Sequence, residues 1–101
     1  MAMNVKIKDT VATIAMSDRF DFQVHREFKE AYATILANSA IREIEIEMSR
    51  LNYLDSSALG MLMLLRERAQ AVNKDVRLSN PSKVVMQILE IANFSKLFKI
   101  T

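Results

Sequence analysis

The 101-residue chain has no cysteine and no tryptophan, and only one glycine, one proline and one histidine. Without cysteine there is no disulfide, no thiolate nucleophile and no cysteine zinc site. That fits a reducing compartment, and a cytoplasmic protein is expected. One histidine, His25, cannot form a histidine metal cluster, so no metal or other cofactor is expected. With Gly60 as the sole glycine, neither Gly-x-Gly-x-x-Gly nor a P-loop can be built. The Gly-x-Ser-x-Gly elbow is missing too. A hydrolase assembled from Ser56 or Ser57, His25, and Asp21 or Asp55 would therefore lack its strained turn and its oxyanion loop. The longest apolar run, Ala58 to Leu65, is interrupted by Gly60 and falls far short of the ~20 residues that span a bilayer. The start, Met1-Ala2-Met3-Asn4-Val5-Lys6, has no apolar core of signal-peptide length. Neither membrane insertion nor secretion is expected.

What is present is a folding composition: 50% hydrophobic and 26% charged residues over a length suited to one domain, 1–101, with one core. The net charge of +2 is small and its Lys and Arg are dispersed, which does not point to nucleic acid.

Met3, Val5 and Ile7 alternate with Asn4, Lys6 and Lys8, the pattern of a half-buried strand. Asp9-Thr10 forms a tight turn, and Val11 to Met16 returns as the second strand of a hairpin. Ser17-Asp18-Arg19 breaks the alternation. From Phe22 the period becomes helical, with Val24, Phe28, Ala31 and Ile35 on one face and Asp21 placed to cap the first turn. Asn38-Ser39 ends that helix. Ile44, Ile46 and Met48 then alternate with Glu43, Glu45 and Glu47, giving a strand with one wet face. A helix from about Ser56 to Val72 and a strand around Val76 and Leu78 follow. Asn80-Pro81-Ser82 starts a third helix, carrying Val84, Val85, Ile88, Leu89 and Ala92. Asn93 caps its C-terminus, and Leu97 to Ile100 forms a last strand.

The order β-β-α-β-α-β-α-β makes this an α/β chain. It predicts a mixed, mostly parallel sheet with right-handed crossovers. The glutamate face predicts helices mainly on one side of that sheet. Gly60 costs about 1 kcal/mol relative to alanine in a helix, which close packing against the sheet or an approaching partner would explain. Met16, Met48, Met63 and Met86 occupy core-like positions; Met61 alone looks available to a partner.

The richest stretch is Asp55-Ser56-Ser57-Ala58-Leu59-Gly60, where a loop becomes an apolar helix. A helix start presents unpartnered N–H groups and about half a positive charge. A serine there is either a cap or a place for a phosphate. Asp21 and Asp55 likewise fit helix caps, or a paired-carboxylate site for acid–base work or Mg²⁺. Arg66, Arg68, Lys74 and Arg77 fit a solvated surface, or phosphate binding.

Leu54-Asp55-Ser56-Ser57-Ala58-Leu59-Gly60, following the strand Ile44 to Ser49, resembles the signature of STAS domains, and most of all that of bacterial anti-sigma factor antagonists. Arg19-Phe20-Asp21 resembles the family's Gly-Arg-Leu-Asp segment. Asn80-Pro81-Ser82 through Glu90, then Phe94 to Ile100, resembles its C-terminal helix and last strand. Arg19-Phe20-Asp21-Phe22 with His25-Arg26-Glu27-Phe28 is also similar to single-domain members that control motility and biofilm formation, the SypA- and HsbA-like regulators. Ala58 replaces the motif glycine, Asp18 the glycine before Arg19, and Glu47 a frequent aspartate.

The resemblance implies a STAS-like fold and a non-enzymatic, phospho-regulated partner switch acting on transcription. Ser56 would be the phosphoacceptor, with Asp21, Asp55 and Ser57 as its neighbours. Unphosphorylated, the chain would bind a serine kinase that is also an anti-sigma factor; phosphorylated, it would release it, and a PP2C-type phosphatase would reset it. The family implies a monomer before partner binding. Phe20, Phe22, Tyr53, Leu54 and Met61 are expected around Ser56, as the apolar contact surface or as core. The alternative is a constitutive STAS subunit, like those attached to lipid- or anion-transport machinery, with Ser56 only a cap.

Overall fold

The computed structural model describes residues 3–101. Its elements are β1 (Met3–Lys8), β2 (Val11–Phe20), α1 (His25–Leu36), β3 (Glu43–Leu54), α2 (Ser56–Ala71), β4 (Asp75–Ser79), α3 (Lys83–Ile91) and β5 (Lys99–Ile100). Short 3₁₀ turns occupy Phe22–Val24 and Phe94–Lys96. The strands form one sheet in the order β1-β2-β3-β4-β5, antiparallel between β1 and β2 and parallel thereafter. Three successive crossovers thus step in one direction. Right-handedness then places every helix on the same face, which is the α/β architecture expected.

Alternation sorts the strands. Ile14 and Met16 of β2, Ile44, Ile46 and Met48 of β3, and Leu78 of β4 face the helices and are buried. They pack with Phe28, Tyr32 and Ile35 of α1, Leu62 and Leu65 of α2, and Val85 and Leu89 of α3 in one contiguous core. The opposite face carries a polar lattice. Glu45 accepts hydrogen bonds from Thr13 Oγ1 at 2.9 Å and Ser79 Oγ at 2.6 Å, and its Oε2 lies 3.4 Å from Arg77 Nη1. Arg77 Nε also donates to Glu43 at 3.1 Å. These partners, Ser79 first, hold the Glu45 carboxyl below the ordinary glutamate range. Lys74 is buried, its Nζ donating to the carbonyls of Asn38 and Ile41 and so tying β4 to the α1–β3 connection.

Several expectations need correction. Val5 and Ile7 lie on the helix side, opposite Ile14 and Ala12, yet are 40% and 55% exposed, because β1 is the sheet's edge and the helices stop short of it. Met63 is exposed on α2, not core. Pro81 precedes the N-cap Ser82, whose hydroxyl accepts from Val85 N, and so is not the first helical residue. The helix expected from Phe22 opens as a 3₁₀ turn before α1, and the final strand shortens to Lys99–Ile100. Gly60 has no atom within 4 Å of where a Cβ would stand, so close packing does not account for it. The largest difference lies in β2 and β3, which run on to Phe20 and Leu54 through two register shifts, at Ala15/Ser17 and Asp18/Arg19. Each gives β3 one extra residue. Asp18 takes φ 63° beside them, a left-handed conformation that aspartate tolerates better than most residues.

Candidate functional site

The extended ends of β2 and β3 build the site. Arg19 pairs with Tyr53 and Phe20 with Leu54. Asp55 N then donates to Phe20 O at 3.3 Å, so both chains leave the sheet side by side. Asp21 and Asp55 are the next residue on each. Asp21 is extended and caps the 3₁₀ turn by accepting from Gln23 N at 3.0 Å. Asp55 is extended and caps α2, its Oδ1 accepting from Ala58 N at 2.9 Å and from Ser57 Oγ at 2.7 Å. Led by the Ser57 hydroxyl and followed by backbone amides, these bonds hold the Asp55 carboxyl below its ordinary range.

The cap of α2 is therefore Asp55, not Ser56. Aspartate and serine cap equally well, so the Asp-Ser-Ser run left the choice open, and the backbone takes the first acceptor. Ser56 becomes the first helical residue. It is exposed, and its hydroxyl is committed to no partner among the described residues. Ser57 is committed to Asp55.

Of the five apolar residues expected around Ser56, Phe20 and Leu54 are fully buried, and a contact surface made of them is ruled out. Both point to the helix side of their strands, where Phe20 packs on Phe28 at 4.9 Å between ring centroids. Phe22 and Tyr53 are 67% and 39% exposed, and Met61 is partly buried against the core. Phe22 stacks on His25 at 5.0 Å with the rings 9° apart. Arg19 is the residue whose part periodicity did not reveal. Its guanidinium lies 4.6 Å above the Tyr53 ring, and its Nε is 3.5 Å from Asp21 Oδ2. The only signal for this was its place beside Asp21, because the pairing with Tyr53 depends on a bulged register.

Two extended strand ends bring two capping carboxylates and an uncommitted serine to one end of the sheet of an α/β domain. The family described as “Mlab, STAS domain” matches residues 3–100, and the chain belongs to the STAS-domain family. A STAS-domain containing protein of Pseudomonas aeruginosa (strain UCBPP-PA14) is 44% identical over 89 residues, covering 88% of this chain and 86% of that protein. The phosphorylated form of the Bacillus cell fate determinant SpoIIAA has the same fold, with TM-score 0.77 at 18% identity over 99% of this chain and 91% of that one. A sulfate transporter family protein from Wolinella succinogenes does too, with TM-score 0.80 at 15% identity over 94% of this chain and 79% of that one. Among the described residues no helix is long and apolar enough to cross a membrane.

Proposed function

We propose that this chain is a non-enzymatic, cytoplasmic partner switch whose state is set by phosphorylation of Ser56. The carrying observation is that Ser56 heads α2 exposed and uncommitted while Asp55 does the capping. A serine needed only as a cap would occupy the capping position. Phosphate at the first helical residue adds about −1.5 to −2 charges where the helix dipole favours an anion. It also lies next to Asp55, whose carboxyl is held below its ordinary range, and Asp21 follows the neighbouring strand β2. The helix end tolerates the phosphate, and beside the Asp55 carboxylate it concentrates negative charge at the head of α2, with Arg19, paired to Asp21, the cation beside it.

A partner shaped to a small hydroxyl beside Phe22, Tyr53 and Met61 then faces an unpaired dianion. Desolvating it costs several kcal/mol, and each 1.4 kcal/mol is tenfold in affinity. The partner class is a serine kinase that doubles as an anti-sigma factor, with a PP2C-type phosphatase for the reverse step. The output of such a switch is the regulation of transcription, through the sigma factor that the partner restrains. Support for the switch comes from SpoIIAA, an anti-sigma factor antagonist of the same fold that exists in unphosphorylated and phosphorylated forms.

The test is the intact mass of the protein from its native cells, with the modified residue mapped by peptide fragmentation. A fraction heavier by about 80 Da at Ser56 is expected. Pull-down with the kinase found by cross-linking should be retained by Ser56→Ala and lost by Ser56→Asp. An unmodified chain in all growth phases, with Ser56→Asp binding as wild type, would instead support a constitutive subunit.

A further inference from the structure

We infer that the free edge of β1 is a docking site for an extended segment of a partner protein in which acidic and apolar residues alternate. Among the described residues β1 pairs only with β2, so the backbone groups along its other side meet no strand there. Its two faces are chemically opposite. On the helix side, Val5 and Ile7 stand exposed over an apolar groove of about 260 Å³, shared with Ala31, Thr34, Ile35 and Asn38 on the α1 side. On the other side Lys6 and Lys8 are exposed, opposite Thr13 and Val11.

A strand added to this edge sends alternate side chains to alternate faces. One set enters the groove; the other lies along the lysines. Apolar residues suit the first and carboxylates the second. A second copy fits less well, since a two-fold pairing of β1 with itself centred at Lys6 or Ile7 sets lysine against lysine, and like charges across strands destabilise. Edge lysines repel basic strands and disfavour apolar ones, against which their charge would be desolvated, but they attract an acidic strand. The site shares no residue with the Ser56 surface, so it is open to a partner in either phosphorylation state.

A fluorescein-labelled, end-capped six-residue peptide alternating valine and glutamate is the probe, titrated at low ionic strength by fluorescence anisotropy. Saturable binding is expected, weakened roughly tenfold or more in the Lys6→Glu/Lys8→Glu variant. A valine–lysine peptide should show the reverse preference. Ile7→Ser, which removes the groove wall, should weaken the acidic peptide without altering far-UV circular dichroism. Amide protection should increase along residues 3–8. Absence of saturable binding, equal affinity for wild type and the charge-reversed variant, or wild-type dimers in sedimentation that form through β1 would each overturn the assignment.

Discussion

At residue scale the decisive contrast is between Asp55 and Ser56, neighbours with opposite duties. Asp55 spends its carboxylate inside the protein, on Ala58 N and Ser57 Oγ; Ser56 spends nothing. Asp55→Ala should therefore destabilise by about 0.5–2 kcal/mol, the usual cost of a lost cap. Ser56→Ala should stay within about 0.5 kcal/mol of wild type, as exposed substitutions do. Urea midpoints of the two variants decide the matter. If Ser56→Ala proved the more damaging, the serine would be structural and its exposure incidental. The same frugality shows in the backbone. Asp9, Asp18, Asn73, Asn80 and Asn93 all take positive φ, so the chain turns its left-handed corners with the two residue types that tolerate them best after glycine. The C-cap of α3 is Ala92, one residue before the Asn93 expected there, and Asn93 is the left-handed residue that follows it. That leaves Gly60 as an anomaly, a helical glycine with open space where its side chain would be. A Gly60→Ala variant should therefore be more stable by about 0.5–1 kcal/mol, read from its urea midpoint.

At the scale of elements, the wet face of the sheet is held by Glu45 at its centre. The carboxylate accepts from Ser79 and Thr13 and pairs with Arg77, which depresses its pKa. A depressed carboxylate stabilises the fold fully above its unfolded pKa of about 4.3 and loses that contribution as pH falls through the folded value. Glu45→Gln should thus be clearly less stable than wild type at pH 7, with the gap narrowing below about pH 4. Urea denaturation across that range measures it; a gap that does not change with pH would mean that the lattice works through shape, not charge. The lattice also explains which elements were legible. Strict alternation in Ile44, Ile46 and Met48 against three glutamates announced β3, and the 3.6-residue period announced α1 and α3. Period alone did not carry β3 past Ser49 to Leu54, because two extra residues in its register disrupt the alternation just where the strand approaches the site. The same shifts hid Phe20 and Leu54 in the core and brought Arg19 over Tyr53. A motif located Ser56, but geometry was needed to separate cap from candidate acceptor.

At the scale of the molecule, a sheet wound in one direction with helices on one face leaves two edges and an uncovered surface. The β5 edge is only two residues long, which is itself protection. The β1 edge is six residues long, with Val5 and Ile7 exposed, and Lys6 and Lys8 are what oppose its pairing with a copy of itself. The wild-type chain should accordingly sediment as a monomer. Replacing both lysines with valine removes the repulsion and makes β1 apolar on both faces, with high strand propensity. The Lys6→Val/Lys8→Val variant should then self-associate at concentrations where wild type does not, with the new amide protection confined to residues 3–8. Because both positions are exposed and contribute nothing to the core, its thermal unfolding at low concentration should match wild type. A variant that remained monomeric would show that the edge is guarded by its twist or by the bulged β2 behind it, and that the lysines face water for another purpose.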